Sequence, residues 1–173
     1  MASDNKDPER QYQQNPKKRG VIARRAARYA AVQALYQVEV TDSDVSGVLQ
    51  EFLLHRLDDE IDGLRIAEMD RELFERLVRG VRGEREDLDN MLAAALAEGW
   101  HVERLEALLR VIMRVGIYEL DHRRDLPARA TISEYLDLAH GFFTEREPAL
   151  VNGVLDSIAR SLRPEEFESA DAT

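Results

Sequence analysis

An all-α fold is predicted by three observations. Charged residues make up 34% of the 173-residue chain and aromatics only 6%, with Ala, Leu, Arg and Glu abundant and Gly and Pro sparse, the composition of a helical protein. Apolar residues recur at three- and four-residue spacing through most of the chain, the signature of one-sided helices. No stretch alternates apolar and polar residues as a half-buried strand would. A chain of this length suits a single domain with a real core.

Residues 1–18 are polar, contain Pro8 and Pro16, and have little to bury, so they are expected to form a disordered basic arm ahead of a folded domain over 19–164. The first helix is predicted from about Gly20 to Glu39. Asp42-Ser43-Asp44 and Gly47 mark a turn, and Leu49, Phe52, Leu53 and Leu57 give a short second helix. Asp58 to Gly63 reads as an acidic loop. Asp70 is the expected N-cap of a long segment carrying Leu73, Phe74, Leu77, Val78 and Val81, then Leu88, Met91, Leu92 and Leu96. Gly80 and Gly83 are where it would bend or split, and Gly99 ends it.

The most apolar helix is predicted from His101 to Arg124, with Leu109, Ile112, Met113, Val115 and Ile117 among its apolar positions. Its polar residues Glu103, Glu106, Arg110 and Arg114 make a stripe, and a helix apolar on nearly every side belongs at the centre of a bundle. Asp125-Leu126-Pro127 breaks it. Thr131-Ile132-Ser133-Glu134 and Thr144-Glu145-Arg146-Glu147 both fit capping boxes, with Pro148 suited to a first helical turn. The last helix presents Val151, Val154, Leu155 and Ile158 to the core and stops at Pro164. Residues 165–173 are expected to be an acidic, disordered tail.

Charge is divided unevenly. The net charge is −10, yet residues 1–30 hold eight bases against three acids, which leaves −15 on the remainder. Between Arg10 and Val38 there are seven bases and no acid. Concentrated positive potential at one end of an acidic body suits a polyanion, whose phosphates are held by Lys and Arg as counterions are released. At ~100° per residue, Arg24, Arg28 and Arg25 fall at roughly 0°, 40° and 100° on the first helix, a single arc near its N-terminal end. Lys17, Lys18 and Arg19 precede them on the flexible arm and would add affinity rather than sequence selection.

The same inventory excludes several chemistries. Without cysteine there is no disulfide, thiol catalysis or cysteine-ligated zinc. The N-terminus lacks a signal-peptide pattern and no run approaches ~20 apolar residues, so a cytoplasmic protein without membrane contact is expected. Two Glu-x-x-His pairs, Glu98–His101 and Glu119–His122, have the spacing used in di-iron bundles, but a helix between them would hold them roughly 30 Å apart. They cannot share a metal. Nucleotide-binding glycine loops and a His-Glu-x-x-His motif are absent. No enzyme, no cofactor and no metal site are expected.

Three segments carry a family resemblance: Arg24-Arg25-Ala26-Ala27-Arg28-Tyr29-Ala30-Ala31-Val32-Gln33-Ala34-Leu35-Tyr36; Met113-Arg114-Val115-Gly116-Ile117-Tyr118-Glu119-Leu120 with Asp125-Leu126-Pro127 after it; and Val151-Asn152-Gly153-Val154-Leu155-Asp156. In this order and spacing they resemble the NusB family of transcription antitermination factors, from about residue 20 to Arg163. The resemblance implies about seven helices in two subbundles. It also implies binding to boxA RNA in ribosomal RNA leaders together with NusE, a small-subunit ribosomal protein, and entry into the RNA polymerase antitermination complex.

Carried onto this chain, the RNA-binding residues would be Lys17, Lys18, Arg19, Arg24, Arg25 and Arg28, joined by Leu150 and Asn152. Leu150 stands where family members often carry an aromatic. Tyr36, Arg110 and Arg114 are the candidate partner-binding residues, and a homodimer is a further possibility that the resemblance raises. Two other readings keep the fold. One is the RNA-binding domain of ribosomal-RNA cytosine methyltransferases, against which stands the end of the chain soon after Arg163. The other is a helical protein-interaction module without RNA affinity.

Overall fold

The computed structural model describes residues 15–168. Helix α1 spans Pro16–Thr41 and α2 spans Val45–Leu54. A hairpin of two-residue strands, β1 (Glu60–Ile61) and β2 (Leu64–Arg65), leads through a 3₁₀ turn at Ile66–Glu68 into α3 (Arg71–Gly83) and α4 (Arg85–Ala95). After a second 3₁₀ turn at Val102–Arg104 come α5 (Ala107–His122), α6 (Ala128–Phe142), α7 (Glu147–Leu162) and the one-turn α8 (Glu165–Glu168). The all-α expectation stands, and the described residues include seven helices of ten residues or more, in line with the expected number.

Helix α1 starts earlier than its apolar pattern suggests. The Asn15 side chain accepts from the Lys17 and Lys18 amides, and Pro16 occupies the first turn, where its missing N–H costs nothing. Lys17 and Lys18 are therefore helical rather than part of a loose arm; the rest of the expected arm, residues 1–14, lies outside the described residues. From Ala26 onward α1 runs into the protein, and Ala27, Ala30, Ala31 and Ala34 are wholly buried. Small side chains let α3 and α5 pack close to its axis.

Asp70 caps α3 as expected, accepting from the Leu73 amide at 3.0 Å. The long segment after it divides at Glu84, the hinge between α3 and α4. Gly80 sits inside α3 and serves packing: a Cβ there would overlap the Tyr118 ring from α5. The acidic loop around 58–63 contains the hairpin, which turns on Asp62 (φ 50°) and Gly63 (φ 76°). Successive positive φ angles at an Asp-Gly pair close a two-residue hairpin in register with strand twist.

Helix α5 is central: Val111, Ile112, Met113, Val115, Gly116 and Ile117 are all buried. Against it lie α1, α3, α4, α6 and α7. Its start is Ala107, because His101–Arg104 is taken up by the 3₁₀ turn. Neither predicted capping box forms. Pro127 precedes α6 and its carbonyl accepts from the Ala130 and Thr131 amides, which places Thr131 inside the first turn and fully buried. Helix α7 begins at Glu147 with Pro148 in its first turn.

The expected loose tail is ordered through Glu168. Phe167 is buried between the guanidinium groups of Arg129 and Arg160, and Glu166 accepts from the Ala128 amide at 2.7 Å. Just before it, Arg163 is completely buried and donates to the carbonyls of Leu120, Arg123 and Leu126. The Leu120 carbonyl lies in the last turn of α5, where helix geometry leaves it without an intrahelical partner, while that of Arg123 also accepts from the Leu126 amide. One side chain from the end of α7 closes the end of α5. No helix among the described residues is long and apolar enough to cross a membrane.

Candidate nucleic-acid interface

The exposed N-terminal turns of α1 carry the basic surface. Lys17, Lys18 and Arg19 are exposed, and Arg24 is partly exposed with its guanidinium lying back against Gly20. Arg24 has no ion pair with any described residue. The first turn of α1 contains no acidic residue, although carboxylates there would be favoured by the helix dipole. Lysines at this position oppose the dipole and cost local stability, which an anionic ligand would recover.

Arg25, the next residue along, already has partners. Its Nε and Nη2 donate to Glu134 and Asp137 of α6, each at 3.4 Å. Its side chain stays 40% exposed, so the charge is offset rather than hidden. Asp62 of the hairpin lies nearby against Tyr29, whose phenol is pushed up to about 12 by burial and by the Asp62 carboxylate. The acidic residues around Arg25 bound the positive patch on its inner side.

Arg28 is not part of that patch. It is 4% exposed, and its Nε and Nη2 donate to the two carboxylate oxygens of Glu119 at 2.8 and 2.6 Å. The Tyr135 hydroxyl donates to the same carboxylate at 2.6 Å and Arg123 adds a third donor at 3.1 Å. Burial would raise the Glu119 carboxyl, but hydrogen bonds and charge from Arg28, with the Tyr135 hydroxyl and Arg123, outweigh it and hold it below the usual range. Burial works against the charged guanidinium as well, and Glu119 more than restores it, so Arg28 stays protonated. The expected role of Arg28 in phosphate contact is corrected to an internal one. Its azimuth on α1 matches Arg24, but by residue 28 that side of the helix is covered.

Arg110 and Arg114 likewise leave the candidate partner surface. Arg114 is 3% exposed and grips Asp89 of α4 at 2.6 and 2.8 Å, with a further bond to Glu39 of α1. Arg110 donates to Glu39 at 2.7 Å and to the carbonyls of Val102 and Leu105. Glu39 would be raised by burial, yet Arg110, Arg114 and Arg85 together hold it below the usual range. The stripe predicted on α5 therefore ties three helices together from inside. Tyr36, by contrast, is exposed on α1, with Val40 one turn along and also exposed.

Of the two positions on α7, Asn152 is exposed and Leu150 is half-buried against the core. Nothing within 4 Å would meet a Cβ on Gly153, so Asn152-Gly153 faces outward rather than into a tight helix contact. Sequence reasoning missed Glu119, Tyr135, Glu39 and Asp89, the partners that remove three arginines from the surface. One signal was present for Arg28: it is flanked by Ala26, Ala27 and Tyr29–Val32, an apolar run in which a lone arginine is buried and paired.

Comparison with known proteins adds sequence and fold. A family model described as NusB family matches residues 25–160. The transcription antitermination protein NusB of Rhodopseudomonas palustris (strain BisB18) is 44% identical over 144 residues, covering 83% of this chain and 85% of that protein. The NusB of Bradyrhizobium diazoefficiens is 40% identical over 167 residues, covering 96% and 98%. Among solved structures, T. maritima NusB superposes with a TM-score of 0.67 at 31% identity, covering 83% of this chain and 96% of that one. A crystal structure of the antitermination factors NusB and NusE in complex with dsRNA gives a TM-score of 0.65 at 21% identity, covering 79% and 96%, and shares the fold.

Proposed function

This chain belongs to the NusB family, and from that premise we propose that it is an RNA-binding antitermination factor that takes up boxA RNA of ribosomal RNA operons together with NusE. The protein–RNA unit would then join the cytoplasmic RNA polymerase antitermination complex. Transcription antitermination, the activity named for the relatives, is not an enzymatic one. The observation that carries the reading is the basic start of α1, with Lys17 and Arg19 exposed and Arg24 partly so on a protein whose net charge is −10. The helix dipole disfavours bases at such a position.

On this reading Lys17, Lys18, Arg19 and Arg24 hold phosphates and set the path of the strand, and Arg25 contributes when RNA competes with Glu134 and Asp137. Asn152 offers an exposed amide that can read a base edge, whereas Leu150 offers apolar contact without an aromatic face for stacking. Tyr36 and Val40 provide an apolar spot for the protein partner. The acidic remainder of the surface suits a basic ribosomal protein.

Fluorescence anisotropy with boxA RNA and a scrambled control, each with and without saturating NusE, tests this. The expected result is preference for boxA and a gain of roughly 5- to 150-fold with NusE, the usual range of coupling between sites. Equal binding of both RNAs, unaltered by NusE, would overturn it.

A further inference from the structure

We propose that Glu84, Asp121 and His122 form a surface site for a divalent transition-metal ion, seated where the α3–α4 hinge meets the end of α5. Each residue offers one ligand atom, and the three atoms lie within 4.8 Å of one another. His122 Nε2 is 2.7 Å from Glu84 Oε2 and 3.8 Å from Asp121 Oδ2. A tetrahedral ion bound at about 2.0–2.1 Å by nitrogen and oxygen needs ligand atoms about 3.3 Å apart. The two distances to the imidazole nitrogen bracket that value, so modest side-chain rotations seat the ion.

The ligands are positioned by the surrounding fold. Glu84 is the single residue between α3 and α4, and its amide is bonded to the Gly80 carbonyl. The His122 ring lies against the Tyr118 ring, with centroids 4.3 Å apart. Tyr118 is itself fixed in the notch left by Gly80. The imidazole is thus placed by packing that the RNA reading does not use. All three side chains are between 29% and 38% exposed, which leaves the fourth position open to water.

The donor set selects the ion. Two carboxylates neutralise a dication, and an imidazole nitrogen favours zinc and its first-row neighbours over magnesium or calcium, which take oxygen ligands. Because Glu84 joins α3 to α4 while Asp121 and His122 end α5, a bound ion would clamp the α3–α4 hinge to the centre of the bundle.

Isothermal titration of the full chain with Zn²⁺, with Mg²⁺ in parallel and thermal melts at each metal concentration, tests the proposal. One equivalent of Zn²⁺ should bind and raise the melting temperature, with no comparable effect of Mg²⁺. His122→Gln and Glu84→Gln should each lower Zn²⁺ affinity by at least about tenfold and remove the thermal shift, while His101→Gln, a histidine outside the cluster, should change neither. Zn²⁺ binding that is absent, or that is the same in His122→Gln and Glu84→Gln as in the parent protein, would overturn it.

Discussion

Arg28 on α1 and Glu119 on α5 form a two-pronged ion pair in the core, with donor–acceptor distances of 2.8 and 2.6 Å and no exposure at Glu119. The pair joins the helix that carries the basic surface to the helix at the centre of the fold. A charge buried without its partner is strongly unfavourable, so Arg28→Ala should destabilise the protein by about 3–5 kcal/mol, read by urea denaturation. If Arg28 bound RNA instead, the same substitution would leave stability intact and reduce affinity.

The pair also has a pH signature. The Glu119 carboxyl is held below its ordinary value of 4.5, so the stability it contributes is present above that value and is lost as pH falls through the lowered one. In Arg28→Ala burial is opposed only by the Tyr135 hydroxyl and Arg123, so the carboxyl rises and protonation then relieves the variant. The gap in stability between the two proteins should be widest at neutral pH and shrink in acid. A gap constant across the acid range would mean that the two residues do not interact as described.

The surface bases should behave in the opposite way. Replacing Lys17, Arg19 and Arg24 together by Ala should leave the melting temperature almost unchanged and weaken RNA binding. Each lost phosphate contact flattens the slope of log K against log[salt] by roughly 0.7 on single-stranded RNA, so about 2 in all. An unchanged slope would exclude these three from the interface.

Gly80→Ala offers a reversal of sign. In an exposed helix this exchange stabilises by about 1 kcal/mol. Here the new methyl group would overlap the Tyr118 ring, and overpacking of this kind costs about 1–3 kcal/mol. Denaturant melts should show net destabilisation, relieved when Tyr118→Leu is added. Additive effects of the two substitutions would refute the contact.

Phe167→Ala tests the end of the chain. The buried ring lies between Arg129 of α6 and Arg160 of α7, and its removal should lower the melting temperature by several degrees. A disordered tail would give no change.

The parts of the structure that were legible in the sequence depend on local pattern. Ile112 and its neighbours mark α5 as central because almost every face of that segment is apolar, and Asp70 announces the start of α3 at the correct residue. Local pattern failed where two local signals competed. Thr131 looks like a cap, but Pro127 with its fixed φ starts the helix four residues earlier. For the candidate site, angular position on α1 was legible and depth was not. Arg24 and Arg28 share a side of the helix, yet the carboxylate that claims Arg28 is 91 positions away. Arg110 and Arg114 fail for the same reason, since Glu39 and Asp89 reach them across helices. Long-range acid partners decide which arginines a surface keeps, and no local periodicity contains them.

Arg163 has a consequence for how the protein is made. Synthesis proceeds from the N-terminus, so α5 emerges from the ribosome well before the arginine that binds the carbonyls of Leu120, Arg123 and Leu126. A nascent chain that has reached only α6 holds its most apolar helix with an unsealed end, and the frayed last turn exposes polar backbone beside apolar core. Closure waits for residue 163. A chain that stops within α7 therefore holds most of its apolar residues and lacks the arginine whose guanidinium closes the helix they surround.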